Sequence, residues 1–119
     1  MDARQLGIYG ELVAARFLRR HGYEVLQTNF HSRFGEIDLI VSKDDTIVFV
    51  EVKTRDAGST TRPAEAVTFS KQQKIKSTSL LYLSRFEKEV NVRYDVVEVI
   101  AVTKGDKKIK IHHIMNAFE

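Results

Sequence analysis

Gly35-Glu36-Ile37-Asp38-Leu39-Ile40-Val41 and, after a polar break from Ser42 to Thr46, Ile47-Val48-Phe49-Val50-Glu51-Val52-Lys53-Thr54-Arg55 decide the fold of this chain. Both halves are rich in β-branched and apolar residues, and Lys43-Asp44-Asp45 between them reads as a turn, so the stretch predicts a β-hairpin. With Asp44 and Asp45 at the centre of a loop of two or four residues, Lys43 faces Thr46, Asp38 faces Glu51 and Glu36 faces Lys53. Opposed residues of an antiparallel pair share a face, and the period of two adds Glu36 to Asp38 and Glu51 to Lys53. Three carboxylates and one ammonium then converge. Carboxylates set directly opposite repel by ~0.2–1 kcal/mol on a sheet surface and by more when buried, so a cation should lie between them. A loop of three or five residues would instead put the two acids on opposite faces unless a bulge restored them. Two readings stand on these residues alone. One is a polar sheet face with Glu36 and Lys53 as a cross-strand ion pair. The other is a hard divalent cation held by Asp38 and Glu51, since Mg²⁺ takes one or two carboxylates plus waters and phosphate oxygens.

Asp38, followed thirteen positions later by Glu51-Val52-Lys53, resembles the acidic signature of the PD-(D/E)xK nuclease superfamily, which includes restriction endonucleases and archaeal Holliday-junction resolvases. Within it the chain is similar to the YraN family of small bacterial predicted endonucleases. The similarity runs from Gly10-Glu11 and Ala14 through Asn29, Arg33, Gly35 to Leu39, Phe49 to Lys53 and Arg55. It continues through Val67, Lys71 and Arg93 to Val97, and closes on His113-Ile114 and Asn116-Ala117-Phe118. Ile37, not proline, precedes the motif aspartate. The resemblance implies a restriction-endonuclease-like fold and Mg²⁺ or Mn²⁺ as cofactor. Asp38, Glu51 and the Val52 carbonyl would be ligands, Lys53 a catalytic residue, and Glu11 a further acid reaching the site through water or a second ion. Glu36 and Gln73 would support the site from around it.

A chain of 119 residues predicts one domain, whose folding buries roughly two-thirds of its unfolded surface. Cysteine is absent, which removes disulfides, zinc–thiolate sites and cysteine nucleophiles and fits a cytoplasmic protein. No apolar run approaches the ~20 residues of a membrane span, and Asp2 and Glu11 argue against a transit peptide. A net charge of +3 is a mild bias toward polyanions.

Residues 3–20 predict a helix, with Arg19, Arg20 and His21 in its last turn and Gly22 beyond it. Leu6, Tyr9, Val13 and Phe17 form one stripe; Gly7, Glu11, Ala14, Ala15 and Leu18 form another beside it. Glu11 thus lies among small residues, and Gly7, Ala14 and Ala15 would let the helix approach the sheet. Tyr23 to Asn29 reads as a strand, and Asn29, His31, Ser32 and Arg33 as a polar entry loop. His31 is a weak candidate base. Asp56 to Ala66 carries Gly58, Pro63 and no periodicity, and reads as a loop beside the site. A second helix is expected from Thr68 or Ser70 to about Glu87, with Ile75, Ser79, Tyr82 and Phe86 facing inward. Lysines in its first turns oppose the helix dipole, which phosphate contacts would explain, a solvated lysine face being the other reading. Lys71 and Lys74, with Arg33 and Arg55, are the candidate nucleic-acid contacts. Val92 to Thr103 and Lys108 to Ile114 are predicted strands around Gly105-Asp106. Asp95 should pair with Arg93 or a neighbouring basic group, and adjacent His112 and His113 should point to opposite faces.

The order helix, strand, hairpin, helix, strand, strand is α/β: a mixed sheet flanked by two helices, with the crossover strand parallel to the Glu51 strand. The expectation is a metal-dependent endonuclease acting on DNA, RNA being an open alternative. Branched or structured DNA is the finer substrate, for which two symmetric cuts would need a homodimer. The rivals are a non-catalytic nucleic-acid-binding module of the same fold and a structural protein whose acids form only ion pairs.

Overall fold

The computed structural model describes residues 2–56, 67–101 and 109–119. Its elements are α1 (Ala3–Arg20), β1 (Glu24–Ser32), β2 (Gly35–Lys43), β3 (Thr46–Asp56), α2 (Phe69–Leu83), β4 (Asn91–Ala101) and β5 (Lys110–Phe118). The strands form one five-stranded sheet in chain order. Every neighbouring pair is antiparallel except β3–β4, which is parallel and joined through α2. The expected mixed α/β architecture is present.

Alternation along the strands sorts side chains to two faces, and each helix covers one. Val48 and Val50 pack with Leu39, Val41, Val97 and Val99 against Ala14, Ala15 and Leu18 of α1. Ile47 and Phe49 pack with Ile40 and Val96 against Ile75 and Tyr82 of α2. The central strands therefore read as near-continuous apolar runs because both faces are buried. At α1, Asp2 and Gln5 form a reciprocal capping box, and Gly22 leaves the helix at φ 88°, a left-handed conformation glycine adopts at little cost.

Several boundaries differ from those read in the sequence. β1 continues through the expected entry loop to Ser32, and only Arg33 and Phe34 turn the chain. As an edge strand, β1 carries polar residues that face solvent. The second helix ends at Leu83, with Ser84 as its C-cap. The Ser84 hydroxyl donates to the Leu81 carbonyl at 2.6 Å, and Phe86 N–H closes onto Leu83 O at 3.0 Å. Serine competes there for the last carbonyls, and Phe86, 38% exposed, keeps a ring contact with Tyr82 at 5.8 Å. β5 extends past Ile114 because Asn116, at φ 54°, bulges and lets Phe118 pair with Tyr94. The Gly105-Asp106 turn and nearly all of the loop after β3 lie outside the described residues.

Candidate metal and phosphate site

The β2–β3 ladder runs from Lys43↔Thr46 to Leu39↔Val50, the register expected from an Asp44-Asp45 turn. It parts at the next step. Ile37 packs in the α2-side core while Leu39 packs under α1, so the pleat alternation breaks at Asp38. On β1 the matching break is Asn29, at φ 49°, between the pairs Thr28↔Leu39 and Phe30↔Ile37. Asp38 spans the opening. Its Oδ2 accepts the Val52 N–H at 2.8 Å, a side chain standing in for the missing strand partner.

A cleft of about 330 Å³ occupies this split, lined by Leu6, Gly7 and Glu11 of α1, Glu36 and Asp38 of β2, Glu51 to Thr54 of β3, and Lys71 of α2. What brings α1 so close is Gly10. A Cβ on Gly10 would fall 1.7 Å from Thr54 Oγ1, whereas one on Gly7 would meet nothing within 4 Å. The expectation placed this role on Gly7; Ala14 and Ala15 do pack on the sheet as expected. Glu11 follows directly on the contact residue, and its Oε2 accepts from Asn29 Nδ2 at 3.2 Å.

The charges inside are unbalanced. Burial pushes the Asp38 carboxyl up to about 8, with the Glu51 and Glu11 charges adding to the rise and the Val52 N–H and Lys71 opposing it. Glu51 is 5% exposed, and Lys71 Nζ pairs with its Oε1. Lys53 Nζ lies 3.5 Å from the same oxygen. The cation expected between the carboxylates is thus supplied by Lys71. Burial and the neighbouring Lys71 lower the pKa of Lys53, against the pull of Glu51. For Lys71, burial lowers the pKa but hydrogen bonding and charge attraction from Glu51 override it, and the net shift is upward.

The donor set suits a hard ion. Asp38 and Glu51 supply two carboxylates and Val52 a backbone carbonyl, all oxygen. Among the described residues, no three of His, Asp and Glu gather closely enough to hold an ion between their side chains. An ion here would therefore complete its shell with the backbone carbonyl, water and phosphate oxygens, as Mg²⁺ does. Asp38, desolvated beside a second acid and driven toward protonation, also has the environment that a nearby dication would relieve.

Other candidates are more dispersed. Glu36 lines the cleft but does not pair with Lys53; it faces His31 across β1–β2, 3.3 Å from its ring nitrogen. With β2 leaving β3 at Asp38, the expected Glu36–Lys53 pairing has no ladder to form on. His31 is exposed and outside the cleft lining. Arg55 continues the Glu51–Lys53 face of β3, half-buried, and its Nε is a buried donor that finds no partner among the described residues. Arg33 is exposed on the β1–β2 turn, its guanidinium 4.9 Å from the Phe34 ring. Lys74 is exposed on α2 near Gly35. Gln73 is exposed and outside the lining; its neighbour Gln72 donates to Val67 O at 3.0 Å. Sequence reading missed Gly10 and Asn29 as the residues that place Glu11. The signal for Gly10 was its position immediately before that acid.

Away from the cleft, Asp95 is fully buried and accepts from Arg93 Nε and Nη2, both at 2.9 Å, and from Asn116 N–H at 2.9 Å. His113 Nε2 lies 2.7 Å from its Oδ2, and Arg93 donates to the Tyr23 hydroxyl at 2.6 Å. Burial alone would raise the Asp95 pKa, but His113, Arg93 and the Asn116 N–H override it and hold it below the usual range. The expected Asp95–Arg93 pair is there, and it belongs to a structural network. His112 points to the other face, 3.6 Å from Glu98, as two adjacent strand residues must. Among the described residues, no helix is long and apolar enough to cross a membrane.

A sequence model of a family described as "Uncharacterised protein family UPF0102" matches residues 10–99. A UPF0102 protein of Syntrophomonas wolfei is 48% identical over 118 residues, 97% of this chain and 98% of its own length. One from Alkaliphilus oremlandii is 45% identical over 118 residues, with the same coverage of 97% and 98%. Another, from Nocardia farcinica, is 43% identical over 118 residues, covering 98% of this chain and 91% of its own. Their names state no activity.

Proposed function

The chain belongs to the uncharacterised protein family UPF0102, the YraN family, and from its cleft we propose a metal-dependent endonuclease that hydrolyses phosphodiester bonds in DNA. One observation carries the reading: Asp38, Glu51 and Lys53 share one cleft where β2 and β3 part, with a further acid, Glu11, brought in by α1. That constellation supports membership in the PD-(D/E)xK superfamily, which hinges on two acids and a lysine on adjoining strands. Branched or structured DNA is the finer substrate we assign.

Asp38, Glu51 and the Val52 carbonyl would hold Mg²⁺ or Mn²⁺, whose contribution is Lewis-acid charge on the phosphoryl oxygens and a more acidic water. The rest is work for the chain. Lys53, its pKa lowered by burial and by Lys71, orients the attacking water, takes up its proton and stabilises charge developing on the phosphate. Glu11 positions water at the edge of the site, anchored by Asn29. Arg55, on the same face of β3 as Glu51 and Lys53, together with Arg33, Lys71 and Lys74, holds flanking phosphates.

The test is a panel of labelled DNA and RNA substrates, duplex, single-stranded and branched, incubated with Mg²⁺, Mn²⁺ or EDTA. Cleavage of DNA that needs the metal and disappears in Asp38→Ala is the expected result. Lys53→Ala should lose ~10²–10⁴-fold in turnover while still taking up Mn²⁺. Binding of DNA without cleavage under any metal would assign the chain to the non-catalytic module.

A further inference from the structure

Lys71 holds the position that the proposed ion would claim. Its Nζ pairs with Glu51 Oε1, the oxygen that also has Lys53 Nζ at 3.5 Å, and its charge reaches Asp38 as well. Lys71 enters from the N-terminal turn of α2, three residues after the N-cap Thr68, whose Oγ1 accepts the Lys71 N–H at 3.1 Å. A cation at that end of a helix is disfavoured by the helix dipole. The helix therefore does nothing to retain the ammonium, and the carboxylates do all of it.

We propose that Lys71 is the resident counter-ion of the Asp38–Glu51 pair, and that a divalent ion and docked Lys71 exclude one another. Arrival of the ion then frees the Lys71 ammonium to take a phosphate of the substrate. The inference rests on the metal-dependent reading above and adds to it an exchange of cations. Glu51 is almost fully buried and already has the Nζ atoms of both Lys53 and Lys71 on one oxygen; a dication beside docked Lys71 would crowd further positive charge onto that carboxylate. Of the two lysines, Lys53 is less exposed, at 22%, and stands on a central strand. Lys71 is 40% exposed, and its flexible four-carbon stem can swing out without moving α2. Lys71 is the one to leave. The exchange keeps the buried carboxylates neutralised in both states, and it couples metal loading to the appearance of a phosphate-binding charge at the mouth of the cleft.

The experiment titrates MnCl₂ into the full chain by calorimetry, without DNA, for wild type, Lys71→Met and Lys74→Met. Exclusion predicts that Lys71→Met binds Mn²⁺ at least about fivefold more tightly than wild type, within the range usual for coupled ligands. Lys74→Met removes the same charge from an exposed position on the same helix and should stay close to wild type. In parallel, wild type is acetylated with a lysine reagent with and without Mn²⁺ and read by mass spectrometry. Labelling of Lys71 should rise with Mn²⁺ while that of Lys74 does not. Mn²⁺ uptake with equal affinity in wild type and Lys71→Met overturns the exchange and leaves the metal site standing. Mn²⁺-independent labelling of Lys71 overturns it too, even where the variant fails to fold. No Mn²⁺ uptake by either protein overturns the metal reading itself.

Discussion

Asp38 is where the chain breaks its own rules. It sits at a lapse in strand alternation, caps the Val52 N–H with its side chain, and is half-buried beside a second acid. Its carboxyl, raised to about 8 by burial and by Glu51 and Glu11, binds a proton more tightly folded than unfolded. Between the unfolded value near 4 and about 8, the folded state therefore holds more protons, and stability falls as pH rises. In EDTA, stability should decline across that window by at most ~1.4 kcal/mol per pH unit while Asp38 alone titrates, and the melting temperature should fall with it. Asp38→Asn keeps a side-chain oxygen for Val52 and removes the charge. It should flatten the decline and be at least as stable as wild type at pH 8. A wild-type melting curve that is flat or rising from pH 5 to pH 8 in EDTA would contradict the account of Asp38.

At the scale of elements, the cleft exists because α1 lies directly on β3, and Gly10 permits it. A Cβ at Gly10 would intrude on Thr54, with Thr54 Cβ itself only 2.8 Å away, whereas one at Gly7 would meet none of the described residues within 4 Å. Gly10→Ala must lift the helix and should cost about 1–3 kcal/mol, the usual range for overpacking. Gly7→Ala should gain roughly 0.5–1 kcal/mol from helix propensity. Urea denaturation of the two variants checks the pair, and equal effects would contradict the close approach. Glu11 should move with the helix, so Gly10→Ala should also lower turnover on any substrate cleaved by wild type. The strands were legible in the sequence because two β-branched apolar runs flank Asp44-Asp45 and that turn sets one register, which is present through Leu39↔Val50. The lapse at Asp38 and Asn29 was not legible, since a pattern of polar and apolar residues does not say where two strands part. Gly10 on Thr54 was missed because it depends on how two elements meet in space. The polar end of β1 reads as loop because His31 and Ser32 carry no apolar signal, although the strand alternates in exposure on either side of Asn29.

Taken whole, the molecule is a mixed sheet between two helices, and the parting of β2 from β3 lets elements from both faces reach one split. Lys71 was legible as a residue near the site, because basic residues at a helix start ask for an anion. That the anion is Glu51 itself follows only from the fold, which brings the Lys71 ammonium onto that carboxylate. If the acids at this split form a divalent-metal site, thermal unfolding should respond to Mn²⁺ and the response should depend on Asp38. Wild type and Asp38→Asn are melted at pH 7 in EDTA and in MnCl₂. At about a hundredfold excess over Kd, the ion should stabilise wild type by ~2.7 kcal/mol, a rise on the order of 10 °C for a chain of this size. Asp38→Asn should show little or none of that gain while melting in EDTA no lower than wild type. A wild type indifferent to Mn²⁺, together with an Asp38→Asn protein strongly destabilised in EDTA, would make the acids structural and contradict the account.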